Sequence, residues 1–138
     1  MSTEMGASMQ KKRILIVEDE ESLLKLETIL LQVKGYEVTG AATGNIALEK
    51  LDQGKFDLVL LDIMLPDIDG FEICSRIRKE PRTAGVPVVM LTAKKSQVDH
   101  ERGTACGANA YLTKPFKSAM IIEVIDGLLK ADGATIKL

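Results

Sequence analysis

The chain has 138 residues, 46% of them hydrophobic and 28% charged, with a formal net charge of −2 and two cysteines. That is the size of one domain able to bury a core, it is too weakly basic to offer nucleic acid a surface, and it has no apolar run near the ~20 residues that span a bilayer. The opening MSTEMGASMQKKR lacks an apolar h-region and is no signal peptide, which points to the cytoplasm, where Cys74 and Cys106 stay thiols.

Residues 1–10 are small, polar and aperiodic and read as a disordered leader. Arg13–Val17 (RILIV) is a short buried strand that runs into Glu18 and Asp19. From Glu20 the apolar positions Leu23, Leu26, Leu30 and Val33 recur at helical spacing, and Gly35 ends the helix. Tyr36–Thr39 alternates as an edge strand does. Thr43 caps a second helix over Gly44–Gln53, which turns at Gly54.

Phe56–Asp62 is the third strand, an apolar run that ends abruptly in a carboxylate. An acidic loop with Pro66 follows, and a third helix from about Gly70 presents Phe71, Cys74 and Ile77 inward. Pro81 and Gly85 separate it from a fourth strand, Val86–Thr92. Ser96 and Asp99 resemble a capping box opening a fourth helix, which Gly103, Thr104 and Gly107 weaken. Ala110–Thr113 is a fifth strand ending in Lys114-Pro115. The last helix, about Lys117–Lys130, carries Ile121, Val124, Ile125 and Leu128, while Met120, Ile122 and Leu129 broaden its apolar face or offer a partner surface. Residues 131–138 are a tail or the start of a linker. The two cysteines show no metal or redox spacing, fall in helical patterns and are expected to serve packing.

Strand and helix alternate five times with short linkers, and right-handed connections of this kind give a parallel sheet covered on both faces. The expected domain, residues 11–130, is a doubly wound α/β fold of five strands and five helices. All carboxyl ends of such a sheet share one edge, where open α/β folds bind ligands. Glu18, Asp19, Asp62, Thr92 and Lys114 should therefore meet there. Three converging carboxylates repel one another and want a cation, and an all-oxygen site suits Mg²⁺. Lys114 and the Thr92 hydroxyl suit phosphoryl oxygens, and a strand-end aspartate is a recognised covalent nucleophile. A cap for the next helix is the plainer role for Asp62, and a structural acid–lysine pair the plainer role for the cluster.

The motifs IVEDE (Ile16–Glu20), LVLLDIMLPDIDG (Leu58–Gly70), VVMLTA (Val88–Ala93) and GANAYLTKPF (Gly107–Phe116) resemble those of response-regulator receiver domains in two-component signalling, a likeness that covers about Lys12–Leu129. The resemblance implies the flavodoxin-like strand order 2-1-3-4-5. It implies that Asp62 is the phosphoacceptor, served by a histidine kinase or phosphotransfer protein. Asp19 and Asp62 would ligate Mg²⁺ directly, Met64 through its backbone carbonyl and Glu18 through water. Thr92 and Lys114 match the switch hydroxyl and the phosphate-binding lysine, Tyr111 the switch aromatic, and Lys114-Pro115 a bond usually cis in the family. Phosphoryl uptake would shift the face of fourth helix, fifth strand and fifth helix toward an unidentified downstream partner or a homodimer. Such a receiver is a signalling switch rather than an enzyme, with no nucleic-acid or membrane contact of its own.

Met64 and Lys94 occupy variable positions beside the phosphoryl group, and an apolar Met64 cannot orient water, so phosphoryl loss should be slow to moderate. His100, the single histidine, is expected to be solvated, not the phosphodonor. Three alternatives remain open. A haloacid-dehalogenase-type phosphatase would need a second acid where Met64 stands. A phosphorylation-independent interaction module would not need Glu18, Asp19, Asp62, Thr92 and Lys114 together. A receiver cut from a longer transcription or enzyme regulator fits this sequence as well as a free-standing one does.

Overall fold

The computed structural model describes residues 11–92, 101–102, 105–114 and 117–130. Five strands, β1 (Arg13–Val17), β2 (Glu37–Ala41), β3 (Leu58–Asp62), β4 (Val88–Thr92) and β5 (Ala110–Thr113), form one parallel sheet in the order β2-β1-β3-β4-β5. The described helices are α1 (Glu21–Val33), α2 (Gly44–Gln53), α3 (Gly70–Lys79) and α4 (Ser118–Lys130). Glu101, Arg102 and Ala105 are also helical, within the helix expected from Ser96. The leader, Lys94, the Ser96–Asp99 box, His100, Pro115 and the tail lie outside the described residues.

β3 and β4 are buried at every position, as an apolar run in the middle of a covered sheet requires. The period-2 alternation of strand side chains then sorts them into two cores. Leu15, Val17, Val59, Leu61 and Met90 face α2 and α3, packing with Ala47, Phe71, Cys74 and Ile77. Ile14, Ile16, Leu58, Leu60 and Leu91 face α1 and α4, packing with Leu31, Ile121, Val124 and Ile125. Ile122, Leu128 and Leu129 add to the second core, so the apolar face of α4 is wide, and Met120 alone of its large apolar residues is largely exposed.

Local signals act where the sequence puts them. The Thr43 hydroxyl accepts from Ile46 N–H at 3.1 Å and caps α2. Gly35 stops α1 at φ 98°, a left-handed conformation that costs a β-carbon-free residue little. β3 and β4 are each two residues shorter at their starts than the apolar runs suggest. Pro87, which lacks an N–H, still lends its carbonyl to Val59 across the sheet.

α1 departs from the expected pattern. Leu26 and Val33 point to solvent, 49% and 78% exposed, and the side turned to the sheet runs through Leu24, Glu27 and Leu31. The helix is apolar around most of its circumference, so spacing alone does not choose its buried stripe.

Arg78, near the end of α3, fastens the chain ahead of β5. Its guanidinium donates to the carbonyls of Gly107 (2.7 and 3.0 Å), Val86 (2.6 Å) and Ala84 (3.1 Å) and to Asn109 Oδ1 (2.8 Å). Arg78→Met keeps the stem and removes these donors. The expected loss is about 2–4 kcal/mol, seen as a lower urea midpoint with unchanged m.

Candidate functional site

The carboxyl ends of β1, β3, β4 and β5 meet on one edge, as parallel pairing dictates. Asp62 ends β3 and is buried. It caps no helix; that role falls to Asp69, whose Oδ1 accepts from Phe71 N–H at 2.7 Å at the start of α3. Instead Asp62 Oδ1 accepts from the Met64 N–H at 2.8 Å, and Oδ2 receives Lys114 Nζ at 2.8 Å. Lys114 also reaches Glu18 Oε1 at 3.4 Å. The loop after Asp62 folds back tightly because Gly70 lacks a side chain: a β-carbon there would lie 2.7 Å from Ile63 Cα and 2.8 Å from the Asp62 carbonyl.

Glu18 is buried and Asp19 exposed, and one oxygen from each lies with an Asp62 oxygen in a group whose members are all within 4.8 Å of one another. The Thr92 side chain is fully buried at the end of β4, and its carbonyl accepts the Lys114 N–H at 2.6 Å. Tyr111 on β5 is half-buried and packs against the core on the α2–α3 side. The Met64 side chain is exposed. All the residues singled out at strand ends thus lie on this edge.

The electrostatics reflect crowding. Burial first, then the charge of Asp62 and a hydrogen bond with it, push the Glu18 carboxyl up to about 7, against the opposing pull of Lys114. Burial disfavours the Lys114 ammonium, but Asp62 and Glu18 outweigh it, and its pKa lies above the usual lysine value. One ammonium against three carboxylates leaves an excess of negative charge that a divalent cation would offset. The oxygen-only donor set Glu18, Asp19 and Asp62 fits Mg²⁺.

Two acids in the neighbourhood escape sequence reasoning. Asp67 accepts from the N–H groups of Gly44 and Asn45, both at 2.8 Å, tying the acidic loop to the start of α2. These bonds, that of Asn45 foremost, hold its carboxyl below the usual range. Glu27 is 1% exposed on the inner side of α1, and among the described residues neither carboxylate oxygen has a hydrogen-bond partner. Burial, then the charge of Glu18, raise it to about 8; Lys114 opposes the rise, and Asp62 and Glu20 add to it. The signal that could have found it is a lone acid between Leu24 and Leu31, its neighbours at i−3 and i+4 on one helix face.

A family model described as the response regulator receiver domain matches residues 14–126. The chain belongs to this family. Its receiver sequence is 40% identical over 119 residues to the alkaline phosphatase synthesis transcriptional regulatory protein PhoP of Bacillus subtilis, a match covering 86% of this chain and 49% of PhoP. Among solved structures, the chemotaxis response regulator CheY4 of Vibrio cholerae superposes with a TM-score of 0.82 at 32% identity, over 87% of this chain and 100% of CheY4. The receiver domain of a sensor histidine kinase from Pseudomonas aeruginosa PAO1, solved with a magnesium ion coordinated in its active-site cleft, gives 0.80 at 32% identity, over 87% and 98%. The receiver spans about half the length of the curated relatives it matches. Among the described residues no helix is long and apolar enough to cross a membrane.

Proposed function

We propose that this receiver takes a phosphoryl group on Asp62 from the phosphohistidine of a histidine kinase or phosphotransfer protein. The observation that carries this reading is the Asp62 carboxylate, buried at the end of β3, with a lysine ammonium 2.8 Å from one oxygen and two further acids alongside. An Asp62 oxygen attacks phosphorus, the P–N bond to the donor breaks, and an acyl phosphate forms. Glu18, Asp19, Asp62 and the Met64 carbonyl are the groups that would hold Mg²⁺, which when bound offsets the charge of the acids and the phosphoryl oxygens. Lys114 and the Thr92 hydroxyl bind those oxygens. Lys114 is already charged and placed, so little rearrangement precedes transfer.

Phosphorylation adds roughly 1.5–2 negative charges and three acceptor oxygens. Lys114 and Thr92 follow them, Tyr111 responds beside Thr92, and the face made by the helix expected from Ser96, β5 and α4 shifts toward a downstream protein or a second copy. Met64, with no group to orient water, leaves the acyl phosphate slow to hydrolyse. The chain acts as a cytoplasmic switch rather than a turnover enzyme, and residues 11–130 are the receiver proper. A second reading, that it is the receiver part of a longer regulator, is favoured by its covering about half of PhoP, by name a transcriptional regulator.

Intact mass after incubation with Mg²⁺ and acetyl phosphate tests the chemistry. One phosphoryl is expected on the wild type and none on Asp62→Asn, nor on the wild type without Mg²⁺. Equal labelling of both proteins would assign the phosphoryl to another side chain.

A further inference from the structure

Cys74 and Cys106 stand 32 positions apart in the sequence, yet the fold brings them side by side. Cys74 lies on α3, fully buried; Cys106 follows the helical residue Ala105 in a turn and is half-buried. The Cys74 S–H donates to the Cys106 carbonyl at 3.3 Å. The turn that presents Cys106 is held from both sides. Its N–H donates to the Arg102 carbonyl at 2.9 Å, and the next carbonyl, that of Gly107, takes two bonds from Arg78 on α3. Arg102 in turn stacks over the Phe71 ring at 4.2 Å and pairs with Asp69 at 3.4 Å. The two sulfurs therefore share one anchored location.

Access is one-sided. Cys106 lines an open surface pocket of about 370 Å³ together with Phe71, Ser75 and Arg102, whereas Cys74 has no exposed surface. A small solute reaches Cys106 first, since Cys106 lines the pocket and Cys74 is fully buried.

We propose that Cys74 and Cys106 form a dithiol site that a peroxide closes to an intramolecular disulfide, with Cys106 the attacking and Cys74 the resolving residue. Cys106, as thiolate, attacks one peroxide oxygen; the O–O bond breaks, leaving a sulfenic acid and, after protonation, one water. Cys74 sulfur then attacks the Cys106 sulfur, the S–O bond breaks, and the departing hydroxide leaves with the Cys74 proton as a second water. Two thiols are oxidised by two electrons in all, and hydrogen peroxide is reduced to two waters. Burial, then the hydrogen bond with Cys106, push the Cys74 thiol up to about 12, so the second step is the slow one. Closure ties the chain ahead of β5, the strand that leads to Lys114, covalently to α3.

Treatment of the full chain with hydrogen peroxide, followed by unfolding, alkylation and intact mass, reads the outcome directly. The wild type is expected to lose two hydrogens and to refuse alkylation at both cysteines, and a reductant should restore both. Cys106→Ala, at a half-buried position that tolerates truncation, and Cys74→Ala should never lose the two hydrogens. Addition of one to three oxygens at Cys106 with Cys74 still alkylated would overturn the proposal. So would a disulfide between two chains, or a wild type left unchanged.

Discussion

Glu27→Leu is expected to stabilise this protein, by about 1–3 kcal/mol at pH 5 and by more at pH 8. The carboxyl is 1% exposed with no partner for either oxygen among the described residues, so folding strips it of water and returns no hydrogen bond from them. Leucine fills a similar volume and joins Leu24, Leu31 and the second core. The pH dependence follows from the direction of the shift. Glu27 holds its proton up to about 8 when folded and to about 4.5 when unfolded. Between those values the folded state binds more protons, so its contribution is complete below pH 4.5 and is lost as pH rises through 8. The groups facing it, Glu18, Asp62 and Glu20 against Lys114, set that shift together with burial. Glu18, raised to about 7, acts with the same sign. Wild-type stability should therefore fall by on the order of 6 kcal/mol from pH 5 to 8, somewhat more than half of it from Glu27. The Glu27→Leu variant should keep only the part due to Glu18. Urea unfolding at four pH values measures both curves, and parallel curves would show that Glu27 titrates unshifted.

Lys114→Met is expected to cost about 1–3 kcal/mol at pH 8 without divalent cations, because it leaves Asp62 and Glu18 buried beside each other without their ammonium. The lower end of the usual range applies, since the lysine side chain is 22% exposed and water screens part of the pair. Two additions discriminate this from a simple packing loss. Millimolar Mg²⁺ should raise the thermal midpoint of the Lys114→Met variant more than that of the wild type, by replacing the missing positive charge. Asp62→Asn in the same chain should recover most of the lost stability, a coupling visible in a double-mutant cycle. Strict additivity of the two substitutions, with no extra Mg²⁺ effect, would mean that the ion pair contributes little.

The strand-end residues were legible because two separate rules coincide. Apolar runs that stop at a polar residue mark where buried strands end, and a parallel sheet gathers those ends on one edge. Asp62, Glu18 and Lys114 need nothing more to meet, and the distances of 2.8 and 3.4 Å follow. Strand starts were less legible, since Phe56 and Val86 are apolar yet precede the paired residues of β3 and β4.

The sequence by itself determined the alternation of strands and helices, the stop at Gly35, the cap at Thr43 and which polar side chains gather on the carboxyl edge. Each of these rests on neighbours along the chain or on the direction of a strand, and both are local properties. Only the tertiary structure decided which side of α1 is buried, because that helix is apolar around most of its circumference and its rotation is set by the sheet and α4. That choice sends Leu26 and Val33 to water and Glu27 into the core. The same holds for Arg78 over Gly107, Asp67 at the start of α2 and Cys74 against Cys106. These contacts join residues 23 to 32 positions apart, and no spacing rule brings such pairs together; the packing of α3 against the chain before β5, and of the acidic loop against α2, does.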